Sequence, residues 1–285
     1  MRSFTIIALS LALAVPVAAQ RGPAPSPEGL VELAYGDDPR QRLDFTPAPA
    51  RSAPLVLFVH GGGWRRGDKR IAGHMATHFH GRGYAFAAIN YRLVPDARPD
   101  AQAADVAAAI AMLVRDARWF GVDADRIMLI GHSAGAHLVA LVGTDPTYLA
   151  AHRIPISSID GVVPLDGAGY DVPRQLAAAG PLLRRIYLNA FGDEPGYQRR
   201  VSPISHAASP NAARFLILHV ASRPDDAGAQ STALAAALQR ARTPAEVEAV
   251  EGTHMTIFRG FGGAGHRATE LVDAFAERIF RSIGH

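Results

Sequence analysis

The residues of this chain whose types and spacing could do chemistry fall in three short stretches. Arg126–Gly135 reads Arg-Ile-Met-Leu-Ile-Gly-His-Ser-Ala-Gly, an apolar strand that runs into G-x-S-x-G and then into a helix beginning near Ala134. A serine on such a strand-to-helix turn is pushed out of the sheet. Side chains two residues to either side would collide with neighbouring backbone, which accounts for Gly131 and Gly135. The turn also sets a helix N-terminus beneath Ser133 Oγ, where the Ala134 N–H can face developing negative charge. That is the equipment of a serine nucleophile in acyl transfer.

Upstream, the apolar run Pro54–Val59 leads into His60-Gly61-Gly62-Gly63-Trp64. Three glycines let the chain pass close to a substrate and turn its amides inward. Gly62 and Gly63 N–H, joined by that of Ala134, would make a three-donor oxyanion hole, each donor worth about 3–4 kcal/mol in the transition state. A phosphate loop is excluded, because neither G-x-x-x-x-G-K-[ST] nor G-x-G-x-x-G spacing follows. His60 is expected to tie the loop by hydrogen bonds, and Trp64 to anchor packing or wall an acyl pocket. With His132, these two are the candidate pocket residues.

The elements that must hold these stretches are legible in the hydrophobic pattern. Pro54–Val59, Tyr84–Asn90, Arg126–Ile130, Ile159–Leu165, Phe215–Val220 and Ala245–Val250 read as strands, most of them buried on both faces. Leu30–Tyr35 and Gln41–Phe45 read as short antiparallel edge strands. Between them lie helical stretches at Ile71–Arg82, Ala101–Trp119, Ser231–Arg242 and His266–Ile283; in the second, Ile110, Leu113, Val114 and Ala117 form one apolar stripe. The alternation predicts an α/β fold, a doubly wound and mostly parallel sheet. Gly167–Pro210 breaks the alternation and reads as a small cap-like excursion over the carboxyl edge of the sheet, where ligands of such sheets bind.

His60–Trp64 with Gly67-Asp68-Lys69, Gly131–Gly135 and Ile89-Asn90-Tyr91-Arg92 resemble the α/β-hydrolase-fold carboxylesterases, in the hormone-sensitive-lipase-like and bacterial feruloyl-esterase-like branch. The resemblance covers roughly residues 30–283. It implies a carboxylic-ester hydrolase of small to medium acyl esters with a triad in the chain order Ser, Asp, His, working without metal or cofactor on a small-molecule ester. An arylformamidase, or an acetyl or feruloyl esterase of plant polymers, would use the same machinery. A non-catalytic binding module on this fold is disfavoured, since serine, histidine and glycine loop are all present.

Twelve histidines compete for the role of base. His254 follows the Ala245–Val250 strand on a turn freed by Gly252, and is the expected partner of Ser133. His266 opens the last helix, and His219 ends a strand. His74 and His78 have the i, i+4 spacing of a metal pair, but the H-E-x-x-H pattern is not met, so a solvated helix face is expected there. The family usually carries its acid in a His-Gly-x-x-Asp turn after the strand before the last. Here that turn reads His219-Val-Ala-Ser-Arg223-Pro-Asp225-Asp226. Asp225 is therefore expected to be the acid, with Asp226 as the alternative and otherwise a helix cap, and Arg223 paired with one of them. Asp166 and Asp193 read as turn or cap residues.

Composition bounds the rest. Of 285 residues, 48% are hydrophobic and 19% charged, enough apolar content for a large core. The absence of cysteine excludes a disulfide framework, a thiolate metal site and a cysteine nucleophile. A net charge of +3, with arginines scattered and Lys69 the sole lysine, argues against a nucleic-acid partner. Met1-Arg2, the apolar run Ile6–Val17 and Val17-Ala18-Ala19 predict a signal peptide (residues 1–19) cleaved near Ala19-Gln20, and hence export to the periplasm or medium. That run is shorter than the ~20 residues of a membrane span. Residues 20–29 read as a flexible leader and 30–285 as one hydrolase domain. The sequence leaves the oligomeric state open.

Overall fold

The computed structural model describes residues 29–208, 210–223 and 225–281. The expected signal peptide and residues 20–28 of the expected leader lie outside the described residues. Among the described residues eight strands form one sheet: β1 (Val31–Ala34), β2 (Arg42–Thr46), β3 (Ala53–Val59), β4 (Ala85–Ile89), β5 (Val122–His132), β6 (Ile159–Leu165), β7 (Phe215–Val220) and β8 (Ala245–Val250). Their order is β1-β2-β4-β3-β5-β6-β7-β8. β2 is antiparallel to β1 and β4, and the remaining neighbours run parallel.

β3 and β4 are buried along their whole length, so both faces demand apolar side chains and the sequence there is a continuous run. Alternate residues serve opposite layers. Leu55, Leu57, Val59 and Leu129 join a core with Ile110, Leu138 and Leu234, from helices Pro99–Arg115, Ala134–Thr144 and Ala227–Arg240. Val56, Phe58, Met128 and Ile130 pack on the other face with Phe79 and Phe275, from helices Gly73–Gly81 and Arg267–Arg281. The helix Ala134–Thr144 is buried at every position, which explains a sequence without a charged side chain. β5 begins at Val122, ahead of its apolar run. Asp123 and Asp125 obscure this part in the sequence, and the pairing with β3 is irregular there.

Between β6 and β7 the chain forms four short helices, Val172–Ala178, Pro181–Phe191, Pro195–Arg200 and Pro203–His206. Each carries proline in its first turn, where the missing N–H has no intrahelical partner to lose. Pro181–Phe191 buries Tyr187, Ala190 and Phe191 while leaving Leu182 75% exposed. A Cβ added to Gly63 would stand 3.2 Å from Ile186 Cγ2, so this helix rests against the glycine loop at the carboxyl edge of the sheet.

Candidate active site

Ser133 directly follows β5 with φ 58° and ψ −118°, a strained conformation that turns the chain directly into the helix at Ala134. The turn tolerates no side chain at its flanks. A Cβ on Gly131 would lie 2.3 Å from Gly135 O, and one on Gly135 2.0 Å from Val59 O. A Cβ on Gly61 would meet Ser133 Cβ at 2.8 Å, so the glycine loop passes directly over the serine. Gly62 and Gly63 adopt φ of 128° and 61°, open to glycine and strained for other residues. The carbonyl of Gly62 accepts from Arg65 and Arg66 N–H, closing the loop on itself.

His254 follows β8 after Gly252, whose φ is 120°. Its Nε2 lies 3.0 Å from Ser133 Oγ, and its Nδ1 lies 2.6 Å from Asp166 Oδ2. With Nδ1–H donating to the carboxylate, Nε2 is left to accept from the serine hydroxyl. Asp166 stands directly after β6, fully buried with φ 47°. Its N–H donates to Leu218 O at 2.7 Å, and its Oδ1 accepts from Val220 N–H at 2.9 Å. Burial pushes this carboxyl upward, but the hydrogen bond from His254, the Arg223 charge and the Val220 N–H outweigh burial and hold it below the ordinary carboxylate range.

The expectation that Asp225 would hold the histidine is corrected here. Asp225 is buried and engaged by Arg223, whose Nε donates to Oδ1 at 2.7 Å and whose Nη2 pairs with Oδ2. Asp226 points elsewhere, accepting from Arg174 Nε at 2.9 Å. It precedes the helix Ala227–Arg240 without a side-chain cap bond. The geometric cause is register. β6 is hydrogen-bonded to β5, and Ser133 N–H donates to Leu165 O, so the residue after Leu165 emerges beside the serine. The sequence held a signal for this, since Asp166 directly follows the apolar, buried run 161–165 and Arg223 stands where the resembled pattern carries its acid.

The three candidate pocket residues back the site and do not line an open surface. His60 is wholly buried, its Nδ1 2.8 Å from Gly61 O and its ring stacked 4.4 Å from Tyr91. Burial pushes its pKa down to about 4, so it stays neutral as a tie for the loop. Trp64, 2% exposed, packs on Phe191 and Tyr187 and donates its indole N–H to His137 Nδ1. His132 donates from Nε2 to the His254 carbonyl at 2.7 Å, its ring tilted against the His254 ring at 4.7 Å and stacked on Phe258 at 5.2 Å. Burial and the neighbouring His254 bring its pKa down to about 4. His74 and His78 do not converge on one point: His74 Nε2 bonds Phe258 O and His78 Nε2 bonds Asp273. His137 is a site-supporting residue that its sequence neighbourhood did not announce, whereas Arg223 makes its expected pair with Asp225 and also reaches Asp166.

Comparison with known proteins agrees with this architecture. Residues 43–162 match the family model described as BD-FAE. Esterase LipC of Mycobacterium tuberculosis is 34% identical over 200 residues, covering 65% of this chain and 49% of that protein. A probable isoprenylcysteine α-carbonyl methylesterase, ICMEL1 of Arabidopsis thaliana, is 30% identical over 247 residues, covering 79% of this chain and 51% of that one. The chain thus spans about half the length of these relatives. Among solved structures, Thermogutta terrifontis esterase 2 phosphonylated by sarin superposes with a TM-score of 0.76 at 23% identity, covering 92% of this chain and 99% of that one.

Proposed function

Because the chain is an α/β-hydrolase-fold relative of these esterases, we propose that it is a serine carboxylic-ester hydrolase of small to medium acyl esters. Ser133 is its nucleophile, His254 its base and Asp166 its acid. The observation that carries the reading is the continuous line Ser133 Oγ, His254 Nε2, His254 Nδ1, Asp166 Oδ2, with links of 3.0 and 2.6 Å. His254 accepts the Ser133 proton as Oγ attacks the ester carbonyl, while Asp166 stabilises the imidazolium and holds the tautomer. The Gly62, Gly63 and Ala134 amides receive the oxyanion. His254 then protonates the departing alcohol, and water enters by the same route to release the acid.

Supporting this assignment, Ser133 combines φ 58° with ψ −118°, outside the left-handed region that a turn residue such as Asp226 occupies with φ 62° and ψ 11°. The test is hydrolysis of p-nitrophenyl acetate and butyrate by the purified chain, with fluorophosphonate labelling. Turnover and labelling should both vanish in Ser133→Ala; turnover that persists near the native rate in that variant overturns the reading. Export is proposed on the strength of the Met1–Ala19 pattern. An N-terminus still at Met1 on protein recovered from the producing cells would refute it.

A further inference from the structure

Arg223 is a nearly buried cation that the mechanism above does not use. Its side chain is 13% exposed and reaches three partners at once. Nη1 lies 3.0 Å from Asp166 Oδ2, 2.8 Å from the Asp166 carbonyl and 3.2 Å from His254 Nδ1. Nε and Nη2 grip both oxygens of Asp225. Asp225 is itself braced, its carbonyl accepting from Gln175 Nε2 at 3.0 Å. The result is a line of alternating charge, Asp225, Arg223, Asp166 and the imidazole, drawn from the three loops that follow β6, β7 and β8.

We propose that Arg223 is a positioning residue for the hydrolysis: braced by Asp225, its guanidinium fixes Asp166 against His254 and sets how readily the imidazole carries a proton. The proposal rests on the serine-hydrolase reading. A planar fork suits this task because one end holds Asp225 on both oxygens while the other still reaches Asp166. Nη1 gives Asp166 two contacts: the one to the backbone carbonyl fixes the guanidinium on this residue, and the one to Oδ2 is lost if the carboxylate rotates away from His254. The cation also opposes a second positive charge at 3.2 Å, so the imidazolium of the transition state is stabilised by Asp166 and restrained by Arg223.

The charged and titratable groups facing this pair are few. Asp166 faces His254, Arg223 and the Val220 N–H, with the Tyr170 hydroxyl close enough to be raised by its charge, after burial. His254 faces Asp166, Arg223 and Ser133, and the His132 ring lies tilted against it. Tyr187 lies at Asp225, pushed up to about 12 by burial and by that carboxylate, and stays neutral. Removing the Arg223 charge therefore makes protonated His254 easier to hold, and removing the Asp225 charge does the reverse.

The test is the pH profile of kcat/KM on p-nitrophenyl butyrate, with thermal midpoints and fluorophosphonate labelling taken in parallel. Arg223→Gln should lower kcat by about 10-fold or more with little change in KM, as befits a lost charged hydrogen bond. It should also move the acid limb to higher pH. Arg223→Lys, which keeps the charge, should leave the limb in place, and Asp225→Asn should move it to lower pH. An unmoved limb in folded Arg223→Gln overturns the proposal, as does an equal upward shift in Arg223→Lys. If Arg223→Gln does not fold, Asp225→Asn decides, and anything but a downward shift overturns it. A wild type that neither turns over esters nor takes the label defeats the hydrolase reading. An active, labelled wild type matched by Arg223→Gln in kcat and pH profile defeats only the role given to Arg223.

Discussion

His254 Nδ1 lies 2.6 Å from Asp166 Oδ2, and the carboxylate that makes this bond comes from the strand next to the one that carries Ser133. The imidazole is thus held between two adjacent strand ends, with the third, β7, contributing a backbone N–H through Val220 and a cation through Arg223.

This relationship separates the two acids by experiment. Asp166→Asn preserves size while removing the charge and favouring the wrong tautomer of His254, so kcat should fall by about 10⁴. Asp225→Asn touches neither histidine nitrogen and should cost far less. Steady-state kinetics on one ester decides: a larger loss in Asp225→Asn than in Asp166→Asn would contradict the placement.

His132 holds the backbone of the base. Its Nε2–H is the donor to the His254 carbonyl, and as a neutral, buried ring it adds no competing charge. His132→Phe keeps the stacking area but loses the hydrogen bond, which is worth about 1 kcal/mol. Turnover should drop by about 5- to 10-fold, with Ser133 still labelled. Unchanged kcat would show that the loop is held by other means.

Gly135 is fixed by a close approach of two elements. The alanine methyl of Gly135→Ala would sit 2.0 Å from Val59 O and 2.6 Å from His60 O, both backbone atoms that cannot step aside. Overpacking of this kind costs about 1–3 kcal/mol where side chains can yield, and here the cost lies at or beyond the upper end. Urea unfolding should show a matching loss or no soluble fold. A native midpoint would refute the contact.

A pH effect is built in far from the site. Burial raises Asp160 to about 6, despite the N–H of Ile127 and the charge of Arg126, and its Oδ2 has no hydrogen-bond partner. An acid whose folded pKa exceeds its unfolded value of about 3.9 destabilises above the folded pKa, and the penalty fades as pH falls toward the unfolded one. Asp160→Asn should therefore stabilise the fold by about 1 kcal/mol at pH 8, a figure reduced for screening by water at this partly exposed position. The difference should close by pH 4. Equal or opposite effects at the two pH values would exclude it.

Much of the molecule was legible along the chain because the physics involved is local. The runs of β3, β4 and β6 announce strands covered on both faces, and G-x-S-x-G announces a turn that only glycine permits at its flanks. Ser133, Gly62 and Gly63 are conspicuous for the same reason, since each needs a backbone conformation that the neighbouring sequence must allow. Hydrophobic periodicity was enough for the doubly wound sheet, whereas the start of β5 was hidden by Asp123 and Asp125.

The choice among carboxylates was of another kind. Asp166 and Asp225 both follow buried strands that end at the same edge, and spacing does not rank them. What separates them is where the His254 ring arrives from its loop, and whether a cation already occupies the space after β7. The sequence by itself determined which stretches could meet and the chemistry they could do. Only the tertiary structure decided which partner each charge took, because electrostatic pairing depends on distances across the sheet that no local pattern encodes.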